Sequence, residues 1–179
     1  MSAGDVVETR VRAATAADAA ALAAVGAASF LEAFAGVLDG ADILAHCARQ
    51  HAEPVYADWL ARADTALWLA ETGRGAAPVG YAVLTPAALP LPDPRADDLE
   101  LKRIYLLHRF HGGGLGAALL RAAVGEARRR GARRLALGVY AGNERAQGFY
   151  RRAGFQTVGE RRFQVGQRHY EDAVMALEL

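Results

Sequence analysis

One stretch restricts what this chain can fold into more than any other: His111-Gly112-Gly113-Gly114-Leu115-Gly116-Ala117, set between a strand-like run and a helix-like one. Asp98 to Leu107 reads as a strand. Leu115 to Arg130 carries apolar residues at 115, 118, 119 and 122, the stripe of a helix packed by one face. Gly131 stands where a helix C-terminal stop belongs. Successive glycines let backbone N–H groups converge without Cβ obstruction. A helix N-terminus adds about half a positive charge aimed at the same point. Strand, glycine loop and helix together make a site for a phosphate or pyrophosphate.

The loop alone is open to other readings. Gly112, Gly114 and Ala117 also fit the dinucleotide fingerprint G-x-G-x-x-[GA], which wants an acidic residue ~20 positions later. Ala132 to Tyr140 contains no Asp or Glu, and the loop lies in the second half of the chain rather than in a first βα unit. A Walker-type loop fails because no Gly-Lys-Ser/Thr follows. A plain tight turn before a helix is the simplest alternative, but three consecutive glycines exceed what a turn needs.

The 179 residues suffice for one domain, 1–179, with a sizeable core. With 21 basic against 20 acidic residues the net charge is +1, which supplies no global drive towards nucleic acid or anionic membrane. The single cysteine, Cys47, excludes an internal disulfide framework and reads as a packed apolar residue. No apolar run is expected to approach the ~18 residues of a spanning helix. Met1 to Arg10 carries acids and lacks an apolar signal core, so a cytoplasmic protein is expected. His108 and His111 are not spaced with other His, Cys or acids as a metal site, and no metal is expected.

Patterned segments flank the loop on both sides. Val6 to Arg12 alternates as a strand, and Thr15-Ala16-Ala17-Asp18 resembles a capping box with Asp in place of Glu. An alanine-rich helix follows to about Phe34, then helical stretches from about 42 to 50 and 54 to 63, with Pro54 suited to a first turn. Thr65–Glu71 and Pro78–Leu84 read as neighbouring strands, and Pro86, Pro90, Pro92 and Pro94 mark an ordered loop. Arg134–Tyr140 is a strand, Asn143–Ala153 a helix, and 155–164 with 169–178 a final hairpin around Gly166. This order describes a mixed α/β domain.

At this point the residues resemble the Gcn5-related N-acetyltransferases (GNAT superfamily). Their central motif, [Gln/Arg]-x-x-Gly-x-[Gly/Ala] between strand and helix, reads here His111-Gly112-Gly113-Gly114-Leu115-Gly116, with His in place of Gln or Arg. The downstream Asn-x-x-Ala-x-x-x-Tyr motif reads Asn143, Ala146 and Tyr150, followed by Ala153-Gly154-Phe155. Leu99-Glu100-Leu101-Lys102-Arg103-Ile104-Tyr105 and the tail with Asp172-Ala173-Val174-Met175 are similar to the PaiA-like polyamine acetyltransferase branch. The resemblance implies a mostly antiparallel central sheet, splayed between the fourth and fifth main strands and flanked by helices. It also implies acetyl-CoA as cosubstrate.

Site residues follow from the same resemblance. Cofactor contacts fall on the backbone of Ile104, Tyr105 and Leu106 and on His111, Gly112, Gly113, Gly114, Leu115, Gly116 and Ala117. The backbone N–H groups of this loop cradle the pyrophosphate. Asn143 either contacts the cofactor or caps the helix after it. Tyr150 is the candidate general acid, since a phenol with pKa near 10 carries the proton a departing thiolate needs. Glu100 is the candidate base that takes a proton from the arriving ammonium. Its alternative is a strand carboxylate paired with Lys102. The arginines 128–130, 133 and 134 read as a solvated helix end that could also meet the cofactor's 3′-phosphate.

The expected reaction is direct attack of a primary amine on acetyl-CoA in a ternary complex. The alternative is a non-catalytic acyl-CoA-binding or sensing domain, which would need neither Tyr150 nor Glu100. A small-molecule amine or a protein amine is the expected acceptor, with no nucleic acid and no membrane as partner. The sequence leaves the acceptor's identity, and a homodimer, open.

Overall fold

The computed structural model describes residues 7–165 and 168–179. Seven strands form one sheet: β1 (Thr9–Ala13), β2 (Ala66–Thr72), β3 (Pro78–Pro86), β4 (Leu99–Leu106), β5 (Arg134–Tyr140), β6 (Gln156–Val165) and β7 (Arg168–Glu178). Their order across the sheet is β1-β2-β3-β4-β5-β7-β6. Every neighbouring pair is antiparallel except β4 and β5, which run parallel and meet only at Leu99↔Leu135 and Glu100↔Ala136. Val6 and the turn at Gly166 lie outside the described residues.

The break between β4 and β5 has a local cause. Val83 pairs with Arg103 while Leu84 pairs with Leu101, so Lys102 is an extra residue on β4. Such a bulge bends its strand and raises the local twist. Beyond it, β4 continues beside β3 to the pair Gly80↔Leu106, whereas β5 follows β7 through all seven of its residues. The two halves of the sheet therefore diverge from Leu101 onward.

Helices cover both faces. α4 (Leu115–Arg129) buries Leu115, Leu119, Leu120, Ala123 and Ala127 against Leu101, Leu135 and Leu137 of the sheet. Each leucine so buried contributes about 1.5–3 kcal/mol. On the other face α1 (Ala19–Phe34) and α3 (Glu53–Ala61) pack Leu22, Val25 and Tyr56 on Leu67, Leu69, Tyr81 and Val83. α2 (Gly40–Gln50) and the end of α1 join Val165 of β6 in a smaller cluster around Phe30, Leu38 and Ile43. Thr15 and Asp18 form the expected capping box, with the Thr15 N–H donating to Asp18 at 2.7 Å. A short 3₁₀ turn at Ala16–Asp18 precedes α1. α5 (Glu144–Arg152) links β5 to β6.

One expectation is corrected. The segment Ala16–Phe34, 19 residues with mean hydropathy 1.4, does reach the length and composition of a spanning helix. Alanine accounts for much of that hydropathy, and Leu22, Val25 and Phe30 are buried against the sheet and its neighbours.

Candidate active site

The glycine loop stands at the open end of the split. Gly112 and Gly114 have φ of 84° and 83°, a region that costs an L-residue about 1–2 kcal/mol. A Cβ built on either would meet nothing within 4 Å, so the space above the loop is open. Gly114 is the N-cap of α4 and no side chain caps that helix. Its first N–H groups therefore face the loop without a side-chain acceptor, as anion binding requires. Phe110 precedes the loop, and His111 braces it: the imidazole Nε2 lies 2.7 Å from the Leu106 carbonyl oxygen. His108 packs edge-on against the same ring, and its N–H donates to Glu32 at 2.8 Å. Among the described residues no group of His, Cys, Asp and Glu could hold a metal ion.

A cleft of about 1180 Å³ runs from this loop through the split. Ile104, Tyr105 and Leu106 line it, as do His111, Gly112, Gly114, Gly116 and Ala117. Ile104 and Leu106 pack with the α4 side of the core, and Tyr105 with the α1 side. Beyond Glu100 the edge of β4 facing β5 has no strand partner among the described residues, which leaves backbone groups for an extended ligand. Gly113 and Leu115 do not line the cleft; Leu115 is buried in the core beneath α4.

α5 brings Tyr150 and Asn143 to the same cleft. The Tyr150 ring stands edge-on to Phe149 and Phe155, at centroid distances of 5.2 and 5.8 Å. Burial, with a smaller contribution from Tyr105, raises its pKa above that of an ordinary phenol, so the hydroxyl keeps its proton at neutral pH. Asn143 caps α5, its oxygen accepting from the Ala146 N–H at 3.0 Å. The cap commits the oxygen and leaves the amide nitrogen as the part that could meet a ligand.

Glu100 is placed elsewhere. Its side chain is 2% exposed and does not line the cleft. One carboxylate oxygen accepts from the Ala88 N–H at 2.9 Å, and the other lies 3.2 Å from Lys102 Nζ. The proline-rich loop folds over this end of the sheet, with Leu89 and Leu91 packed on Ala136 and Val174. On this geometry Glu100 is a paired strand carboxylate, outside the cleft lining, whose partner Lys102 does line the cleft. The arginines at the C-terminal end of α4 and beyond are also remote from the loop. α4 is 15 residues long, about 22 Å at 1.5 Å per residue; Arg128 and Arg129 stand in its last turn and the other three follow it. Arg129 and Arg130 pair with Glu126, and Arg134 is buried on Asp98.

The α1–α2 face of the cleft holds groups that the sequence did not single out. Arg161 on β6 contacts Asp172 on β7 through Nε and Nη2, both at 3.0 Å. Gly138 makes room for that guanidinium, since a Cβ there would come within 2.8 Å of it. Burial raises the Asp172 pKa, and Arg161 partly opposes that shift. His46 and His51 are held neutral by burial, with pKa lowered to about 4 and about 3; Arg103 adds to both shifts. His51 Nδ1 lies 2.8 Å from the Tyr56 hydroxyl, which accepts from Arg103 at 2.9 Å. A cross-strand reading of the last hairpin would have found part of this face, because Arg161 faces Asp172 and Phe163 faces Tyr170.

Residues 38–155 match the profile of the Acetyltransferase (GNAT) family. The chain is 43% identical over 103 residues to an uncharacterised N-acetyltransferase of Mycobacterium tuberculosis (strain ATCC 25618 / H37Rv), a match covering 56% of this chain and 60% of that protein. The fold is similar to that of a PaiA N-acetyltransferase from Thermoplasma acidophilum in complex with coenzyme A: TM-score 0.77, 19% identity, 96% of this chain and 99% of that one. It is also similar to a ribosomal-protein-alanine N-acetyltransferase from Brucella melitensis, with TM-score 0.68, 28% identity and coverage of 95% and 99%. The split seven-stranded sheet, the open glycine loop and the family match agree, and the chain belongs to the Acetyltransferase (GNAT) family.

Proposed function

We propose that residues 1–179 act as one cytoplasmic N-acetyltransferase domain, moving the acetyl group of acetyl-CoA to a primary amine by direct attack in a ternary complex. The observation that carries this is the alignment of three features along one cleft. They are an uncapped helix N-terminus behind Gly112 and Gly114, an unpartnered strand edge at Ile104–Leu106, and a protonated phenol at Tyr150. The glycine loop is shaped for a pyrophosphate and the strand edge for an extended amide-bearing arm. A thioester presented there would have its carbonyl polarised by backbone N–H groups of β4.

In this mechanism the ammonium gives one proton to solvent, the free amine nitrogen then forms a bond to the acetyl carbon and gives up a second proton to solvent as the amide forms, and the bond from that carbon to sulfur breaks. Tyr150 gives its proton to the departing sulfur, and solvent restores it. Asn143 holds the start of α5, and with it the position of Tyr150 one helix length away. Family membership supports acetyl transfer, and the likeness to a protein named as a ribosomal-protein-alanine N-acetyltransferase supports a protein amine as one acceptor class.

The direct test is release of CoA thiol from acetyl-CoA on addition of a panel of amines. Amine-dependent release supports the proposal. Tight acetyl-CoA binding with no release for any amine, including peptide N-termini and lysine peptides, would make the domain a non-catalytic acyl-CoA binder.

A further inference from the structure

The cleft has two chemically distinct halves. On β5, Leu135, Leu137 and Val139 face α4, while Gly138 and Tyr140 face the opposite side. Asp172 pairs across from Tyr140 and Arg161, and so lies on that opposite side, towards α1 and α2. The glycine loop and Tyr150 belong to the α4–α5 side. The side away from them is where an acceptor would enter.

We propose that this second half binds a monoamine with an apolar body, its ammonium on Asp172 and its body against a wall formed by Phe30, Phe34, Tyr105, Phe163 and Tyr170. The inference rests on the acetyltransferase reading above and names its acceptor class. Among the described residues lining the cleft, Asp172 is the one carboxylate. Arg161 engages Oδ2 and holds the carboxylate in place, so that Oδ1 is the oxygen a bound ammonium meets. The five rings belong to one apolar cluster and all line the cleft. A buried carboxylate beside aromatic faces suits a single ammonium twice over, through charge and through the ring quadrupoles.

Charge argues equally against a polyamine. The same half presents Arg49, Arg103 and Arg161. His46 and His51 are neutral there and add no negative charge. A second or third ammonium would find arginines and no carboxylate. Like-charge contact in a desolvated cleft is a strong discriminator.

Steady-state turnover with 2-phenylethylamine and with spermidine tests this, using thiol release as the signal. The expected result is a kcat/KM for 2-phenylethylamine at least about tenfold above that for spermidine. Asp172→Asn should raise the KM for 2-phenylethylamine about 10–100-fold, the loss of a charged hydrogen bond, and leave the KM for acetyl-CoA unchanged. Because Asp172→Asn leaves Arg161 without its partner, the double variant Asp172→Asn/Arg161→Met serves as a second case, and the same rise in amine KM is expected. Spermidine turned over as well as or better than 2-phenylethylamine would overturn the inference while leaving acetyl transfer intact. So would an unchanged amine KM in the folded variants. Acetyl-CoA bound but released to no amine at all would instead overturn the acetyltransferase reading beneath it.

Discussion

Lys102, which lines the cleft, holds its ammonium nitrogen 3.2 Å from the carboxylate of Glu100, which does not, and so pairs the buried acid of β4. The second oxygen of Glu100 accepts from Ala88, which ties the proline-rich loop to the sheet. A carboxylate so placed is expected to act on stability rather than on a proton in the cleft. Glu100→Gln should cost about 1–3 kcal/mol of unfolding free energy by chemical denaturation, since the Lys102 ammonium loses its charged partner and the Ala88 N–H loses a charged acceptor. Its kcat/KM should stay within about threefold of the parent. A loss of two orders of magnitude in a folded variant would return Glu100 to the reaction.

His111 reaches back to the Leu106 carbonyl and so fixes the entry to the glycine loop. His111→Arg keeps a donor within reach of that carbonyl and adds a cation near the phosphate site. Calorimetry should find acetyl-CoA affinity equal or higher. His111→Ala removes the brace and should weaken binding about two- to tenfold, the worth of one net hydrogen bond. A large loss in His111→Arg would mean that the imidazole itself touches the cofactor.

Gly114→Asp places a Cβ at φ of 83° and a negative charge over the N-terminus of α4. Like-charge contact with a pyrophosphate costs several kcal/mol, so CoA affinity should fall about 100-fold or more. A thermal melt taken alongside separates that loss from backbone strain. Unchanged CoA affinity in the folded variant would remove the loop from the binding site.

The buried histidines give stability a definite pH dependence. His46 and His51 have folded pKa values of about 4 and about 3, below the ordinary 6.5, because burial disfavours their charged forms. Between pH 6.5 and 4 the unfolded chain therefore binds protons that the folded chain does not. Their contribution is complete above pH 6.5 and is lost as the pH falls. Urea unfolding should show stability dropping by up to about 2.7 kcal/mol per pH unit in that window if both act, and about half of that in His46→Gln. A flat profile between pH 6.5 and 4.5 would contradict the burial of these rings.

Much of this fold is legible in the sequence because its signals are local. Arg134–Tyr140 and the start of α4 at Leu115 fall where the alternation and the glycines put them. The split at β4 follows the resemblance rather than any periodicity, and its cause, the extra residue at Lys102, is visible only in the register with β3. The surroundings of Glu100 are hidden for the same reason: a strand position does not reveal that the loop at Ala88 folds over it. The acceptor half is least legible. Asp172 and Arg161 come together across a hairpin, and Phe30 and Tyr105 join them from distant elements. The hairpin register pairs Arg161 with Asp172, but no spacing along the chain encodes the arrival of Phe30 and Tyr105.

The most direct test of acetyl transfer in this cleft is steady-state kinetics of Tyr150→Phe with an amine that the wild-type protein acetylates. The substitution keeps the ring between Phe149 and Phe155 and removes only the hydroxyl. If that hydroxyl protonates the departing sulfur, its benefit exists chiefly in the transition state, so kcat and kcat/KM should fall together. The expected drop is about 10²–10⁴-fold, with the KM for acetyl-CoA little changed. A kcat within about twofold of wild type, with any loss confined to the KM for acetyl-CoA, would contradict the mechanism and leave Tyr150 a packing residue beside the cofactor.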